Sequence, residues 1–307
     1  MSKGIGFGKV ILFGEHFVVY GLPGLVAAVE MNTTCSFEKN EKGVVSNDLV
    51  TKEKIVFGKN PKKMLDKVLK VVFEETKVKP GNFRLKLTTN MSLRGGLGSS
   101  AALGVAIARC LNEQFNLKMS DEKINDIAFK VEKLFHGNPS GIDNTASTYG
   151  GLLEFGKSGN GNKIEKLKTK EVEIVLADTG IYHDTGELVA GVKERKEKEP
   201  QKYAKIFKEY EELYPKAKKA VLTADWLETG RLMNKNHELL KEMEVSCPEI
   251  EDLCNVTLKA GALGAKLTGA GVGGNIIALT PGKKLQEKVA KECKKLGFKV
   301  YKTKIGV

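Results

Sequence analysis

Cysteine is scarce in this sequence, and long apolar runs are absent. The five cysteines are an odd number and form no C-x-x-C pair, which argues against a disulfide framework and against a zinc site. No stretch reaches the roughly 20 apolar residues that a membrane helix requires, and nothing near the N-terminus resembles a signal peptide. We therefore expect a reduced, cytoplasmic protein with no membrane partner.

Aromatic residues are also few, at 7% of the chain, although the net charge is +12 and the pI is near 9.2. A positive field favours nucleic acid or a small anionic molecule as the partner. Binding to single-stranded nucleic acid by stacking requires aromatic side chains among the basic ones. The densest basic run, residues 193–200, is instead interleaved with Glu, as on a solvated helix face. We expect no nucleic-acid partner, and a basic nucleic-acid-binding module remains the alternative of another class.

The hydrophobic pattern predicts an α+β protein. Residues 83–88 alternate apolar and polar side chains as in a half-buried strand, and the Ala- and Leu-rich residues 101–111 indicate a buried helix. Ser120 is a typical N-cap, and the helix that follows it should end at Gly137. A long charged helical region should run to about Glu228.

The C-terminal part of the chain alternates predicted helices and strands. The predicted order is helix 248–260, a Gly-rich turn, strand 275–279, helix 283–296 and strand 298–305. This layout suggests a second α+β sandwich domain. We place the boundary near residue 170, which gives domains 1–170 and 171–307.

Two glycine-rich motifs match nucleotide-binding patterns but stand in the wrong context. Residues 151–158, GLLEFGKS, match the P-loop pattern, which must lead from a strand into a helix. Here the residues are themselves strand-like, and a Gly/Asn turn follows. Residues 269–274, GAGVGG, match the dinucleotide fingerprint, which must open a helix, whereas the strand-like NIIAL follows. We expect neither stretch to work as the named motif.

A third glycine-rich stretch, residues 94–102 with the sequence RGGLGSSAA, lies between the predicted strand and the buried helix. Backbone N–H groups at a helix N-terminus attract anions, and glycine lets them approach a phosphate closely. Two other stretches offer side chains for chemistry, GKVILFGEHFVVYG at 8–21 and EKLFHGNPSGIDN at 132–144, and KLTGAGVGG at 266–274 offers a further bare loop. Phosphoryl transfer needs a phosphate cradle, a magnesium ion, a cation and a residue for the acceptor's proton. The four stretches together offer a candidate for each.

These stretches, taken together and in their order along the chain, resemble the GHMP kinases, a family that phosphorylates galactose, homoserine, mevalonate and phosphomevalonate. The segment HGNPSGIDN is most similar to the branch that acts on mevalonate. The resemblance implies a two-domain fold, with a ribosomal-protein-S5-like N-terminal domain and a ferredoxin-like α/β sandwich as the C-terminal domain. It implies ATP and mevalonate as substrates, with another sugar or small-alcohol kinase as the alternative. It also leaves room for a homodimer and for feedback inhibition by isoprenoid diphosphates.

The resemblance implies roles for individual residues. Asp143 and Lys9 would be catalytic, with Asp143 accepting the proton of the substrate hydroxyl or orienting it, and Lys9 countering the charge of the transferred group. The residues that would hold the phosphates of ATP are Arg94, Gly95, Gly96, Leu97, Gly98, Ser99, Ser100 and Ala101. Ser100 and Glu132 would bind Mg²⁺. The residues that would contact the acceptor are Glu15, His16, Tyr149, Thr185 and Gly271.

The residues alone leave plainer interpretations open. Asp143 would suit an Asx turn in the GIDN bend, and Glu132 would suit a solvated helix surface. His16 would equally be a core histidine. The chain also departs from the family's pattern at Arg94, where a small residue is usual, and at Asn275, where many members carry cysteine.

Overall fold

The computed structural model describes residues 2–39, 42–92, 95–137, 139–158 and 161–306. Its mixture of strands and helices confirms the predicted α+β class. The strands are β1 (Lys3–Phe13), β2 (Gly24–Lys39), β3 (Val44–Asn47), β4 (Lys54–Val56), β5 (Phe83–Thr89), β6 (Leu152–Ser158), β7 (Gly161–Leu167), β8 (Val172–Asp178), β9 (Gly264–Thr268), β10 (Asn275–Leu279) and β11 (Lys299–Ile305). The helices are α1 (Met64–Thr76), α2 (Ser99–Phe115), α3 (Asp121–His136), α4 (Ile142–Tyr149), α5 (Thr185–Lys198), α6 (Pro200–Leu222), α7 (Trp226–Glu242), α8 (Pro248–Lys259) and α9 (Lys283–Lys295). Within the described residues no helix is both long and apolar enough to cross a bilayer.

The chain folds into two compact units. The first comprises Met1–Lys9, Glu30–Leu93 and Leu97–Gly150, and the second comprises Val10–Val29, Arg94–Gly96 and Gly151–Val307. β1 and β2 therefore each contribute residues to both units. The domain boundary that we place near residue 170 stays a prediction.

The first unit is a sheet packed against helices. β2 pairs antiparallel with β5, β5 pairs parallel with β3, and β3 pairs antiparallel with β4. One buried apolar cluster joins Leu69 of α1, Leu85 of β5, Ile107 of α2 and Ile127 of α3. β5 shows the predicted alternation of buried and exposed side chains. The half-buried strand expected from the period-2 pattern is therefore confirmed.

α2 lies directly against β1 in the first unit, and two glycines allow this approach. A Cβ at Gly4 would lie 2.0 Å from the carbonyl oxygen of Ala106, and one at Gly6 would lie 2.2 Å from that of Ala102. No side chain can come so close to a backbone oxygen, so any other residue would push the helix away from the strand. The glycines thus fix the distance between β1 and α2.

The helix signals read from the sequence are confirmed. α2 covers the predicted residues 101–111, and the Ser120 hydroxyl accepts a hydrogen bond from the Lys123 backbone N–H at the start of α3. Gly137 follows the last residue of α3, as expected. The charged helical region is three helices, α5 to α7, and it extends to Glu242, beyond the predicted end.

The second unit contains an antiparallel sheet in the order β11, β8, β10, β9. β10, α9 and β11 lie where the sequence predicts them. The predicted Gly-rich turn after α8 is wrong in part, because it includes β9. A Cβ at Gly264 of β9 would lie 2.4 Å from the carbonyl oxygen of Gly230 in α7. Glycine serves close packing of a strand on a helix here, which the sequence pattern cannot distinguish from a turn.

The two motifs that we rejected are parts of the scaffold. Residues 151–158 fall mostly in β6, which pairs antiparallel with β7. Residues 269–274 lead into β10 rather than into a helix. Within that loop, a Cβ at Gly271 would lie 2.0 Å from the carbonyl oxygen of Val245. Both rejections are confirmed, and close packing explains the glycine at position 271.

Candidate active site

The Gly-rich loop that leads from β5 to α2 also contacts the strand β1. The backbone N–H of Lys9 donates to the Leu97 carbonyl at 2.9 Å, and Leu97 is buried. Gly96 and Gly98 both have φ of +72°, a conformation that favours glycine over other residues. Arg94, which we expect to contact phosphate, lies outside the described residues. The backbone conformation of the described part of the loop thus depends on glycine at these two positions.

α2 begins without a side-chain cap. Gly98 occupies the N-cap position, and the first turn of the helix holds no acidic residue. The positive end of the helix dipole therefore has no carboxylate from its own first turn to balance it. Ser99, Ser100 and Ala101 are the first three residues of the helix. This is the arrangement in which helix N-termini accept phosphate groups.

Lys9 and Asp143 form an ion pair next to this helix start. Lys9 Nζ lies 3.0 Å from Asp143 Oδ1, with side-chain exposures of 6% and 29%. A Cβ at Gly98 would lie 3.1 Å from Asp143 Oδ1 and 3.2 Å from Lys9 Cγ. The two predicted catalytic residues therefore meet directly beside the loop that we expect to hold the phosphates.

Asp143 does not lie in a loop, which corrects the interpretation of the GIDN segment as a bend. The chain turns at Gly141, where φ is +86°, and α4 begins at Ile142 with Asp143 in its first turn. A carboxylate in the first turn interacts favourably with the helix dipole. Thr145 and Ala146 are buried on the same short helix. Packing of these small residues holds the carboxylate in place.

Glu132 is buried rather than solvated, so the surface interpretation of this residue is wrong. α2 and α3 approach closely at Gly104, where a Cβ would lie 3.2 Å from Val131. The neighbouring Glu132 is 1% exposed, and its Oε1 has no hydrogen-bond partner. Burial and, secondly, the nearby charge of Asp143 raise the pKa of Glu132 to about 7, against the opposing effects of Ser100 and Lys9.

A magnesium ion bound with ATP fits this arrangement of acids. A buried carboxylate oxygen without a partner, next to a second carboxylate, is stabilised by a divalent cation. The Ser100 side chain lies within hydrogen-bonding reach of Glu132 and would supply a hydroxyl oxygen. In the described ranges no three His, Cys, Asp or Glu side chains converge as a metal site. Mg²⁺ takes its remaining ligands from water and phosphate, so two protein ligands are enough.

We expect Glu132→Gln to stabilise the protein at about pH 8 relative to the wild type, with a much smaller difference near pH 5. The folded wild type keeps the Glu132 proton up to about pH 7, whereas the ordinary pKa of a glutamate is 4.5. Between pH 4.5 and about pH 7 the free energy of unfolding of the wild type therefore falls by roughly 3 kcal/mol at most. The Glu132→Gln side chain does not titrate, so this variant does not lose that stability. Urea denaturation at the two pH values measures the difference.

The exposed Glu211 of α6 provides the matched control for this substitution. Glu211→Gln should follow the wild-type stability profile at both pH values. If Glu132→Gln also followed that profile, Glu132 would not be the group that holds the proton in the folded state.

Glu15 and Lys266 form a fully buried ion pair in the second unit. Lys266 Nζ donates to Glu15 Oε1 and, at 2.7 Å, to the Leu267 carbonyl, and both side chains are 0% exposed. Glu15 Oε2 has no hydrogen-bond partner. Burial raises the pKa of Glu15 and lowers that of Lys266, while their mutual attraction opposes both shifts. Sequence reasoning missed Lys266, although an acid at the end of the apolar run 10–13 is a signal that a buried cation is needed.

Two further contacts attach the end of β9 and the loop after it to β1 and the segment that follows β1. Thr268 Oγ1 accepts from the Ile11 N–H at 2.8 Å and donates to the Ile11 carbonyl at 3.1 Å. His16 Nε2 lies 2.7 Å from the Ala270 carbonyl oxygen. A carbonyl only accepts, so the proton resides on Nε2 and Nδ1 is left as an acceptor. His16 is buried, and burial lowers its pKa, which favours the neutral ring at pH 7.

The other three residues that we expect to contact the phosphoryl acceptor lie on different elements of the fold. Tyr149 ends α4, and burial, together with the charges of Glu122 and Asp121 on α3, raises the pKa of its hydroxyl. Thr185 is exposed at the start of α5, and Gly271 packs against Val245 as described above. Their part in an acceptor pocket stays a prediction.

Asn275 has a contact that the sequence did not indicate. Its side-chain amide is buried and donates to the Gly95 carbonyl at 2.7 Å. The residue at which this chain departs from the family's pattern therefore holds the first glycine of the loop. A cysteine, which is a weak donor, would make this contact less well.

Models of two protein families match this chain. The model described as "GHMP kinases N terminal domain" matches residues 63–151. The model described as "GHMP kinases C terminal" matches residues 217–298. The first match includes the loop, Glu132 and Asp143, and the second includes Lys266.

Individual relatives match over nearly the whole length. The mevalonate kinase of Pyrococcus abyssi is 36% identical over 311 residues, covering 94% of this chain and 91% of the relative. The crystal structure of L. major mevalonate kinase in complex with R-mevalonate has a TM-score of 0.90 at 31% identity, covering 99% of this chain and 96% of that one. The crystal structure of the Methanococcus jannaschii mevalonate kinase has a TM-score of 0.85 at 26% identity, covering 99% and 98%.

Proposed function

The chain belongs to the GHMP kinase family, and from this premise we propose that it transfers the γ-phosphoryl group of ATP to the primary hydroxyl of mevalonate. The products are 5-phosphomevalonate and ADP. The resemblance seen in the four sequence stretches and the predicted two-domain fold are both confirmed. The observation that carries the proposal is the Lys9–Asp143 ion pair beside the start of α2. The relatives that cover 94% and 97% of this chain are mevalonate kinases.

In the proposed reaction the loop and the helix start hold the anionic tail of ATP. The backbone donors of residues 95–101 face the phosphates, and the dipole of α2 favours their charge. Lys9 counters the negative charge on the transferred group. Asp143 takes up the proton of the attacking hydroxyl, or orients that hydroxyl if the transition state is loose.

Ser100 and Glu132 would hold Mg²⁺ in this scheme. The ion supplies neutralisation of phosphate charge when it is bound. Glu132 must lose its proton to act as a ligand, so its raised pKa predicts that magnesium binding strengthens as the pH rises through about 7.

We propose that the acceptor contacts are made by Glu15, His16, Tyr149, Thr185 and Gly271, and that Arg94 joins the phosphate contacts. The buried Glu15–Lys266 pair and the His16–Ala270 hydrogen bond give the first two fixed positions. A carboxylate and a neutral imidazole suit a substrate that carries hydroxyl groups. A cytoplasmic location, a homodimer and feedback inhibition by isoprenoid diphosphates belong to the same proposal.

Purified protein with ATP and Mg²⁺ tests the substrate directly. Mevalonate, galactose, homoserine and phosphomevalonate are compared by ADP release, and the product is identified as a phosphate monoester by phosphorus NMR. We expect turnover with mevalonate. Phosphorylation of a sugar alone would favour the sugar-kinase alternative. Salt-sensitive RNA binding without kinase activity would favour the nucleic-acid-binding alternative.

A further inference from the structure

Arg109 of α2 reaches three other elements of the first unit. Its Nη1 donates to the Ile5 carbonyl of β1 at 2.9 Å. Its Nη2 donates to Asp121 Oδ1 at the start of α3 at 2.9 Å and to the Thr148 carbonyl near the end of α4 at 2.6 Å. The side chain is 24% exposed. One guanidinium group therefore joins four elements of secondary structure.

The same four elements carry the residues of the candidate site. Lys9 lies on β1, Ser100 on α2, Glu132 on α3 and Asp143 on α4. Along α2, Arg109 and Ser100 are separated by about 13 Å, at 1.5 Å per residue. The guanidinium thus contacts each element at a distance from the residue that serves the site.

The three acceptors suit a guanidinium better than any other side chain. The Thr148 carbonyl lies at the negative end of the α4 dipole, and Asp121 carries a full charge. A planar guanidinium offers five donors in fixed directions, so it holds several acceptors in one arrangement. The ammonium group of lysine has three donors on a single atom and cannot reach all three positions at once.

We propose that Arg109 is a positioning residue for phosphoryl transfer. It fixes β1, α2, α3 and α4 relative to one another, and thereby the geometry of the Lys9–Asp143 pair and of Glu132. Catalysis of this reaction consists largely of positioning and charge stabilisation. A displacement of about 1 Å caused far from the reacting atoms can lower the rate about 100-fold. This inference rests on the function proposed above.

Two variants of the protein test the role of Arg109. We expect Arg109→Met to lower kcat about 10- to 100-fold, with KM for ATP and for mevalonate changed less than about threefold. Arg109→Lys should fall between this variant and the wild type. Assays are run at a temperature at which circular dichroism shows each variant fully folded, so that loss of stability does not enter kcat.

Arg231→Met is the matched control. Arg231 is exposed on α7 and pairs with Glu228 three residues away. The same substitution there should leave kcat within about twofold of the wild type.

A folded Arg109→Met protein with the kcat of Arg231→Met would overturn the inference and leave Arg109 as a stabilising contact only. If Arg109→Met does not fold, Arg109→Lys decides, because a wild-type kcat with a lowered melting temperature has the same meaning. Failure of the proposed function is a separate result. The wild type would then phosphorylate another alcohol, and the ratio of variant to wild-type kcat on that alcohol would still test Arg109.

Discussion

Replacement of Asp143 by Asn is expected to lower kcat about 10²- to 10⁴-fold, with the dissociation constant for ATP changed less than about threefold. Asparagine has nearly the same shape, but it cannot take up the proton of the alcohol. It also removes the charge that pairs with Lys9 at 3.0 Å. The Gly-rich loop before α2, which we propose to bind the phosphates, keeps its backbone donors. Steady-state kinetics with ATP and mevalonate, and titration with a fluorescent ATP analogue, measure the two quantities.

Asp252 of α8 is exposed and provides the matched control. Asp252→Asn should leave both quantities within about twofold of the wild type. If Asp143→Asn turned over as fast as Asp252→Asn, Asp143 would not be the base. A large loss of ATP affinity would instead show that Asp143 holds the nucleotide site together.

Lys266→Met is expected to lower the free energy of unfolding by about 3–5 kcal/mol at about pH 8. The substitution leaves the carboxylate of Glu15 fully buried without a cation. The acid then takes up a proton when folded, so the loss of stability should shrink as the pH is lowered towards 4.5, the ordinary pKa of a glutamate. Urea denaturation at two pH values measures both the size and the direction of this effect.

Two controls separate the buried pair from ordinary ion pairs. Lys302→Met removes the partner of Glu287 from an exposed pair and should cost less than about 1 kcal/mol. Glu15→Gln combined with Lys266→Met removes both charges and should recover part of the stability. Equal losses for Lys266→Met and Lys302→Met would contradict a buried ionised pair at this place.

Local signals in the sequence were enough to locate much of the candidate site. Ser120 and Gly137 set the ends of α3, and the alternation in β5 followed by a bare loop predicted the order strand, loop, helix. These features depend on neighbours in the chain, so a single sequence displays them. The meeting of Lys9 and Asp143 followed only from the family resemblance, since the two residues are far apart in sequence.

The features that escaped prediction depend on contacts between distant segments. Gly230 and Gly264 allow α7 and β9 to approach closely. Because the sequence around β9 is rich in glycine, we predicted a turn there instead of a strand. Lys266 looks like any exposed lysine until its partner Glu15 is known. The burial of Glu132 likewise follows from the packing of α2 on α3 at Gly104. None of these contacts has a signature within a short window of sequence.

Gly98 limits how far this protein can be engineered for heat resistance. Replacing glycine by alanine commonly adds about 0.4–1 kcal/mol, because alanine restricts the denatured chain. At Gly98 the backbone has φ of +72°, and a methyl group would press on both members of the Lys9–Asp143 pair. The flexibility that this position gives to the denatured chain therefore cannot be removed without disturbing the Lys9–Asp143 ion pair.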